Sequence, residues 1–356
     1  MPKTKFFTDL VFNMDNKDFE LLQEVIAARN NKERYGVSNF VELAIKYNRI
    51  PSCPRCGSTD HKPSSHTPQG LHRYLCNECG CRYTLMSNSI FSSSKKDFNT
   101  WVIYLTLMTF NVPLEMTEEI CDISHPTAML WREKVFSTVD GYQEHLYLKD
   151  RVWIDETYLY DSSLLHDDGY KKRGLSKNQL CIVVAIDCHK NTYAVICGHG
   201  KPSASRIFEA LKNHIVSGST LVHDGERAHD KLIKELDLKE EFYKSNTHDK
   251  EYLENMALIN NMCSWLKRYI YRFIGMRMAN LQSYLNWFVY LFRVKGAVEQ
   301  WPKMDRILRH LILFNGTYKR NTGFHRISIG HFCLLLEILI FSLIEIISYG
   351  LNLITI

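Results

Sequence analysis

The sequence is short of several things, and each shortage narrows its class. The opening Met-Pro-Lys-Thr-Lys-Phe-Phe lacks the apolar core and cleavage site of a secretory signal. Internal repeats and long low-complexity stretches are missing, which removes repeat arrays and linker-like chains from consideration. A single-sign charge excess is nearly absent: 44 Lys and Arg face 39 Asp and Glu, for a net +5. That mild basicity permits a nucleic-acid partner without proving one. A disulfide framework is also lacking, because the eleven cysteines are odd in number and unevenly spaced. With the missing signal, this leads to the expectation of a reducing, cytoplasmic compartment. Long apolar runs are scarce until Phe332 to Ile344 and on to Ile356, where only Glu337 and Glu345 interrupt. The two acids argue against a membrane span, so no membrane partner is expected and the role of 321–356 stays open.

What is present is a globular composition, 45% apolar and 12% aromatic in 356 residues, enough for two or three domains. Residues 1–50 read as helical, with one apolar stripe through Phe19, Leu21, Leu22, Val25 and Ile26 and another through Phe40, Val41, Leu43 and Ala44. Residues 51–86 turn to Cys, Gly, Pro, Ser and His, and 95–142 return to helical spacing. From 148 the pattern becomes strand-like: Val152 to Ile154, Leu180 to Ile186, Thr192 to Cys197, Thr220 to Val222 and a short strand at Phe242. A helix is expected near 203–215, another near 226–236, and helices again over 251–315. The order is that of an α/β domain over 148–320.

Cys53-Pro-Arg-Cys56 and Cys76-Asn-Glu-Cys79 are separated by nineteen residues. Two such turns suit four thiolates around a tetrahedral zinc ion, whose binding would supply the folding energy of a segment too short for a core. Gly57 and Gly80 follow the pairs, where the turn needs a positive φ. Free thiols are the alternative; His61, His66 and His72 read as loop residues. Residues 113–136 suggest a helix-turn-helix, with Ser124 as N-cap, Pro126 in the first turn of the second helix, and Thr127, Trp131, Arg132 and Lys134 along it. An ordinary helical hairpin fits the same pattern.

Asp155 ends one apolar run and Asp224 another. Carboxylates at strand ends of an α/β sheet converge on the edge where ligands bind, and two of them can hold a hard divalent cation. Each taken singly is as well explained as a turn cap.

These segments together resemble a bacterial insertion-sequence transposase of the group with an N-terminal zinc ribbon and an RNase H-like catalytic domain. The resemblance is carried by the 53–56 and 74–80 knuckles, Ser87 to Phe91 leading into Trp101, Asp155-Glu156-Thr157-Tyr158, the run 171–179, His223-Asp224-Gly225, and Ile259 to Arg268. It covers about 50–320. It implies a metal triad of Asp155, Asp224 and Asn260, the last standing seven residues before Lys267 on one helix face. Asn261 and Glu254 compete for the third place, and Glu156 is set aside because it faces the other side of its strand. An Asn ligand coordinates through oxygen but brings no charge. Leu159 to Ser163 departs from the family's usual turn.

The resemblance further implies an RNase H-like mixed sheet flanked by helices, behind a zinc ribbon and a helix-turn-helix-like region. It implies structural Zn²⁺, with Mg²⁺ or Mn²⁺, two ions, in a site that cleaves and joins strands. The partners would be double-stranded DNA, as element ends and target, and further copies of the chain in a dimer or larger assembly, nucleoid-associated when on DNA. Arg132, Lys134, Lys171, Lys172, Arg173, Lys267 and Arg268 would contact DNA. The competing readings are a zinc-ribbon regulator with an inactive RNase H-like domain, and a nuclease of the same fold that cuts without joining.

Overall fold

A computed structural model describes residues 3–67, 71–160, 178–246, 248–273, 276–295 and 303–316. The described residues fall into two compact units, one of residues up to 106 together with those from 304, the other of 107–303.

In the first unit, helices α1 (Lys3–Phe12), α2 (Asn16–Tyr35) and α3 (Phe40–Lys46) precede an antiparallel sheet of β1 (His61–His66), β2 (His72–Cys76) and β3 (Arg82–Thr84). The Asp15 carboxylate caps α2 by accepting the Asp18 N–H at 2.8 Å, and Gly36 ends it in the left-handed region at φ 71°. The stripe Phe19, Leu21, Val25 and Ile26 stays exposed, whereas Leu43 and Ala44 of α3 are buried. The buried Arg49 guanidinium donates to the carbonyls of Leu85, Ser87, Asn88, Ile312 and Phe314, tying the ribbon's exit to the end of the helix Met304–Leu313.

Helix α4 (Phe98–Thr109) leads to the second unit, which holds α5 (Leu114–Cys121) and α6 (His125–Ser137), then β4 (Arg151–Tyr160), β5 (Gln179–Asp187) and β6 (Thr192–His199). Next come α7 (Ala204–Leu211), β7 (Thr220–His223), α8 (Asp230–Glu235), β8 (Lys239–Phe242), α9 (Lys250–Asn255), α10 (Ala257–Ile270) and α11 (Leu281–Lys295). The strands form one sheet in the order β6-β5-β4-β7-β8, with β4 antiparallel to β5, β5 antiparallel to β6, and β7 and β8 parallel to β4. This mixed sheet with helices on both faces is the RNase H-like architecture expected from the sequence.

Alternation along the strands sorts the two faces. Val152 and Ile154, with Cys181, Val183 and Ala185, pack into a core with Ile207 and Leu211 of α7 and Leu232 of α8. The opposite face of β4 and β5 carries α10, and α11 covers β6. Buried Gln143 anchors that layer, with its side-chain amide donating to the Ala194 carbonyl at 2.9 Å and to Asn286 at 2.7 Å.

Two sequence expectations change. Strand β4 does not stop at Ile154 but runs through Asp155 to Tyr160, because β5 pairs with its whole length. Helix α6 begins beside Ser124 and Pro126 as expected, yet it turns Trp131 and Arg132 inward. Arg132 is 8% exposed, its guanidinium lies 5.0 Å from the Phe273 ring centre and it meets the Tyr284 hydroxyl at 3.5 Å. Its expected role as a DNA contact is corrected accordingly: an enclosed guanidinium stacked on an aromatic face cannot reach phosphate. Lys134 is partly buried on the same helix, and burial lowers its pKa. Lys171, Lys172, Arg173 and the 321–356 tail lie outside the described residues. Among the described helices, none is long and apolar enough to cross a membrane.

Candidate functional site

The knuckle cysteines come together as spaced. Cys53, Cys56, Cys76 and Cys79 cluster, with Cys53 and Cys79 sulfurs 3.5 Å apart and Cys56 and Cys76 sulfurs 3.5 Å apart. Four thiolates on one zinc at ~2.3 Å stand ~3.8 Å apart by tetrahedral geometry, so the donor set fits the ion with a slight opening. Each knuckle closes by a backbone bond, Gly57 N–H to Cys53 carbonyl at 2.9 Å and Gly80 N–H to Cys76 carbonyl at 3.0 Å, with both glycines at positive φ, 76° and 68°. Tyr74 and Tyr83 pack beside the cluster.

The two aspartates lie level with one another where β7 stops. β4 and β7 run parallel in register, Arg151 opposite Thr220 and Trp153 opposite Val222. Two residues further on, Asp155 and Asp224 are therefore at the same height, and Asp155 faces the α10 side. The buried Cys263 thiol of α10 is near the Asp155 carboxyl and acts to lower its pKa. Asn260 and Lys267 stand one turn before and after Cys263, on the same helix face. Trp153 sets this helix in place, its indole N–H donating to the Asn255 carbonyl at 2.8 Å, two residues before α10 begins. Burial, with help from Glu156 and Asp224, pushes the Asp155 carboxyl up to about 6. Carboxylates crowded in this way suit a hard cation, and two carboxylates with an amide oxygen supply the oxygen donors. Asn260 is half-buried, whereas its competitors are both exposed: Asn261 beside it, and Glu254 on α9, which pairs with Lys250 at 3.6 Å. Lys267 and Arg268 are exposed, and Arg268 donates to the Ser264 hydroxyl at 3.1 Å.

Sequence reasoning missed Cys263, whose only signal was its spacing between Asn260 and Lys267. It also missed what Glu156 does on the opposite face. The Glu156 carboxylate meets His229 Nε2 at 2.9 Å; His229 Nδ1 meets His223 Nδ1 at 2.9 Å; His223 Nε2 meets the Glu240 carboxylate at 3.2 Å. Both rings are buried, at 1% and 0% side-chain exposure. Burial and the neighbouring His229 lower the His223 pKa. At His229 burial opposes the charge, but Glu156 outweighs it and the net shift is upward. Asp224 sits beside both rings, with one carboxylate oxygen accepting the Glu226 N–H at 3.1 Å.

The sheet order, with Asp155 within β4 and Asp224 just past β7, defines the class, an RNase H-like domain behind a four-cysteine knuckle pair. Residues 147–293 match the family model described as the ISXO2-like transposase domain. No curated protein matches the sequence. Among solved structures, the simian T-cell lymphotropic virus intasome bound to a PP2A regulatory subunit is similar with a TM-score of 0.28 and 11% identity over 46% of this chain; this chain spans 55% of the length of that one. The Mos1 transposase paired-end complex is similar with a TM-score of 0.25 and 12% identity, over 63% of this chain and 77% of that one. The Mos1 strand transfer complex gives a TM-score of 0.20 and 10% identity, over 64% and 81%. Superpositions this loose bear on neither fold nor chemistry, and the strand order and the family match stand without them.

Proposed function

We propose that this chain is a DNA transposase that hydrolyses a phosphodiester at the end of a mobile element and then joins the freed 3′-hydroxyl to target DNA. The observation that carries the reading is the shared height of Asp155 and Asp224 at the end of β7, with Asp155 on the side of the helix that bears Asn260 and Lys267, inside a span matching a transposase domain. Asp155, Asp224 and the Asn260 amide oxygen would hold magnesium or manganese. The chemistry that such ions would supply there is activation of the attacking oxygen and stabilisation of the leaving one. The protein's own contribution is to fix these oxygens on a rigid strand and helix, and to offer Lys267 and Arg268 to the phosphate backbone. Hydrolysis breaks the bond between phosphorus and the 3′-oxygen as water adds. In joining, the 3′-hydroxyl adds to a target phosphorus and that target's own ester oxygen leaves. The net charge of −2 from two Asp ligands implies weak metal binding until a scissile phosphate completes the site.

The cysteine cluster would carry structural zinc, and Lys134 with the surface of α5 and α6 would lie towards DNA. Holding two element ends at once calls for at least two copies of the chain. The test is a metal-dependent assay on labelled end DNA with wild type, Asp155→Asn and Asn260→Ala. Cleavage followed by strand transfer in wild type, lost in both variants, supports the proposal. Binding without cleavage would mark a regulator, cleavage without joining a nuclease, and full strand transfer by Asn260→Ala would remove Asn260 from the triad.

A further inference from the structure

The geometry points to a second metal site, a three-donor centre of His223, His229 and Asp224 that takes a divalent first-row transition ion. It lies on the α8 face of the sheet, across β4 from the face that carries Asn260. Its donor atoms lie within 4.8 Å of one another.

The tautomers follow from the partners. Each histidine directs its Nε2 at a carboxylate, His229 at Glu156 (2.9 Å) and His223 at Glu240 (3.2 Å). A carboxylate accepts, so each Nε2 carries the proton and each Nδ1 carries a lone pair. The Gly225 N–H pointing at His223 Nδ1 from 3.3 Å agrees. Two buried lone pairs facing each other at 2.9 Å repel unless a positive charge lies between them. Histidines that bind metals show this same arrangement, one nitrogen on the ion and the other donating to a carboxylate. Two imidazole nitrogens bound cis to one ion at ~2.1 Å stand ~3.0 Å apart. The free oxygen of Asp224, whose partner oxygen is already engaged by the Glu226 N–H, completes a set of two nitrogens and one carboxylate. That set favours zinc, manganese, iron(II) or cobalt over magnesium. Glu226 is itself held aside by Lys201 at 2.7 Å.

The site shares Asp224 with the proposed catalytic centre but needs neither Asp155, Asn260 nor DNA, so it stands or falls separately from the transposase reading. The occupant that competes with a metal is a single proton shared between the rings.

The test uses the full chain with its knuckles filled with zinc and titrates cobalt(II) without DNA. Uptake of a further equivalent is expected, with weak d–d absorption and no intense thiolate-to-cobalt band. His229→Asn and His223→Asn should abolish it, and Asp155→Asn should retain it. Because both rings are buried, Glu240→Ala provides a milder check: it should fold normally and bind cobalt about tenfold or more weakly. Wild-type protein that takes up no cobalt beyond the knuckles would show a shared proton only and overturn the site. So would wild-type affinity in either histidine variant or in Glu240→Ala.

Discussion

Asp155 concentrates the chemistry of the site in one carboxyl group. Burial, then Glu156 and Asp224, raise it from 3.8 to about 6. Between those values the folded chain keeps a proton that the unfolded chain has released. This contribution to stability is complete below about pH 4 and is lost as the pH rises through about 6. Zinc-loaded protein in magnesium-free buffer should therefore melt lower than Asp155→Asn at pH 7, with the two converging near pH 4, as differential scanning calorimetry would show. Parallel profiles would mean that Asp155 is not held in a crowded acidic pocket. Added magnesium should narrow the gap at pH 7 by offsetting the charge.

At the scale of elements, strand β4 and helix α10 are registered to each other by one indole. Trp153→Phe removes the bond to the Asn255 carbonyl at a cost of about 1 kcal/mol, readable by urea unfolding. Because α10 begins just beyond Asn255, strand transfer should fall by more than that loss of stability explains. An unchanged transfer rate would show that α10 is set by other contacts. The ribbon behaves differently, since its sheet buries little beyond Cys53, Cys76 and Tyr83. Chelation should open 51–86 to protease while the RNase H-like unit stays folded.

These elements also mark how far the sequence could be read. The knuckles were legible because their geometry is local, two short turns closed by glycine. The opposite facing of Asp155 and Glu156 followed from strand alternation alone. The full length of β4 did not, because its extension to Tyr160 depends on β5, a partner whose pairing no local signal announces. Arg132 was misread for a similar reason: on a helix with weak apolar contrast, only Phe273 and Tyr284, far along the chain, decide that it lies inside. The histidine chain was hidden because Glu156, His223, His229 and Glu240 come from four separate segments.

Over the whole molecule, engagement with DNA should track the exposed cations and leave the enclosed one out. Lys267→Ala is expected to weaken binding across sequences and to lower the salt slope by about one, whereas Arg132→Met should change stability and leave that slope as it is. Fluorescence anisotropy over a salt series separates the two, and a reduced slope for Arg132→Met would place that side chain back at the interface. The central claim is that oxygens from β4, the end of β7 and α10 converge on one divalent ion. Its most direct test is anomalous diffraction at the manganese edge from crystals of the zinc-loaded protein with a DNA end. A manganese peak bonded to the Asp155 and Asp224 carboxylates and the Asn260 amide oxygen is expected. Manganese bound in that complex with Asp155 or Asn260 left out of its coordination would contradict it.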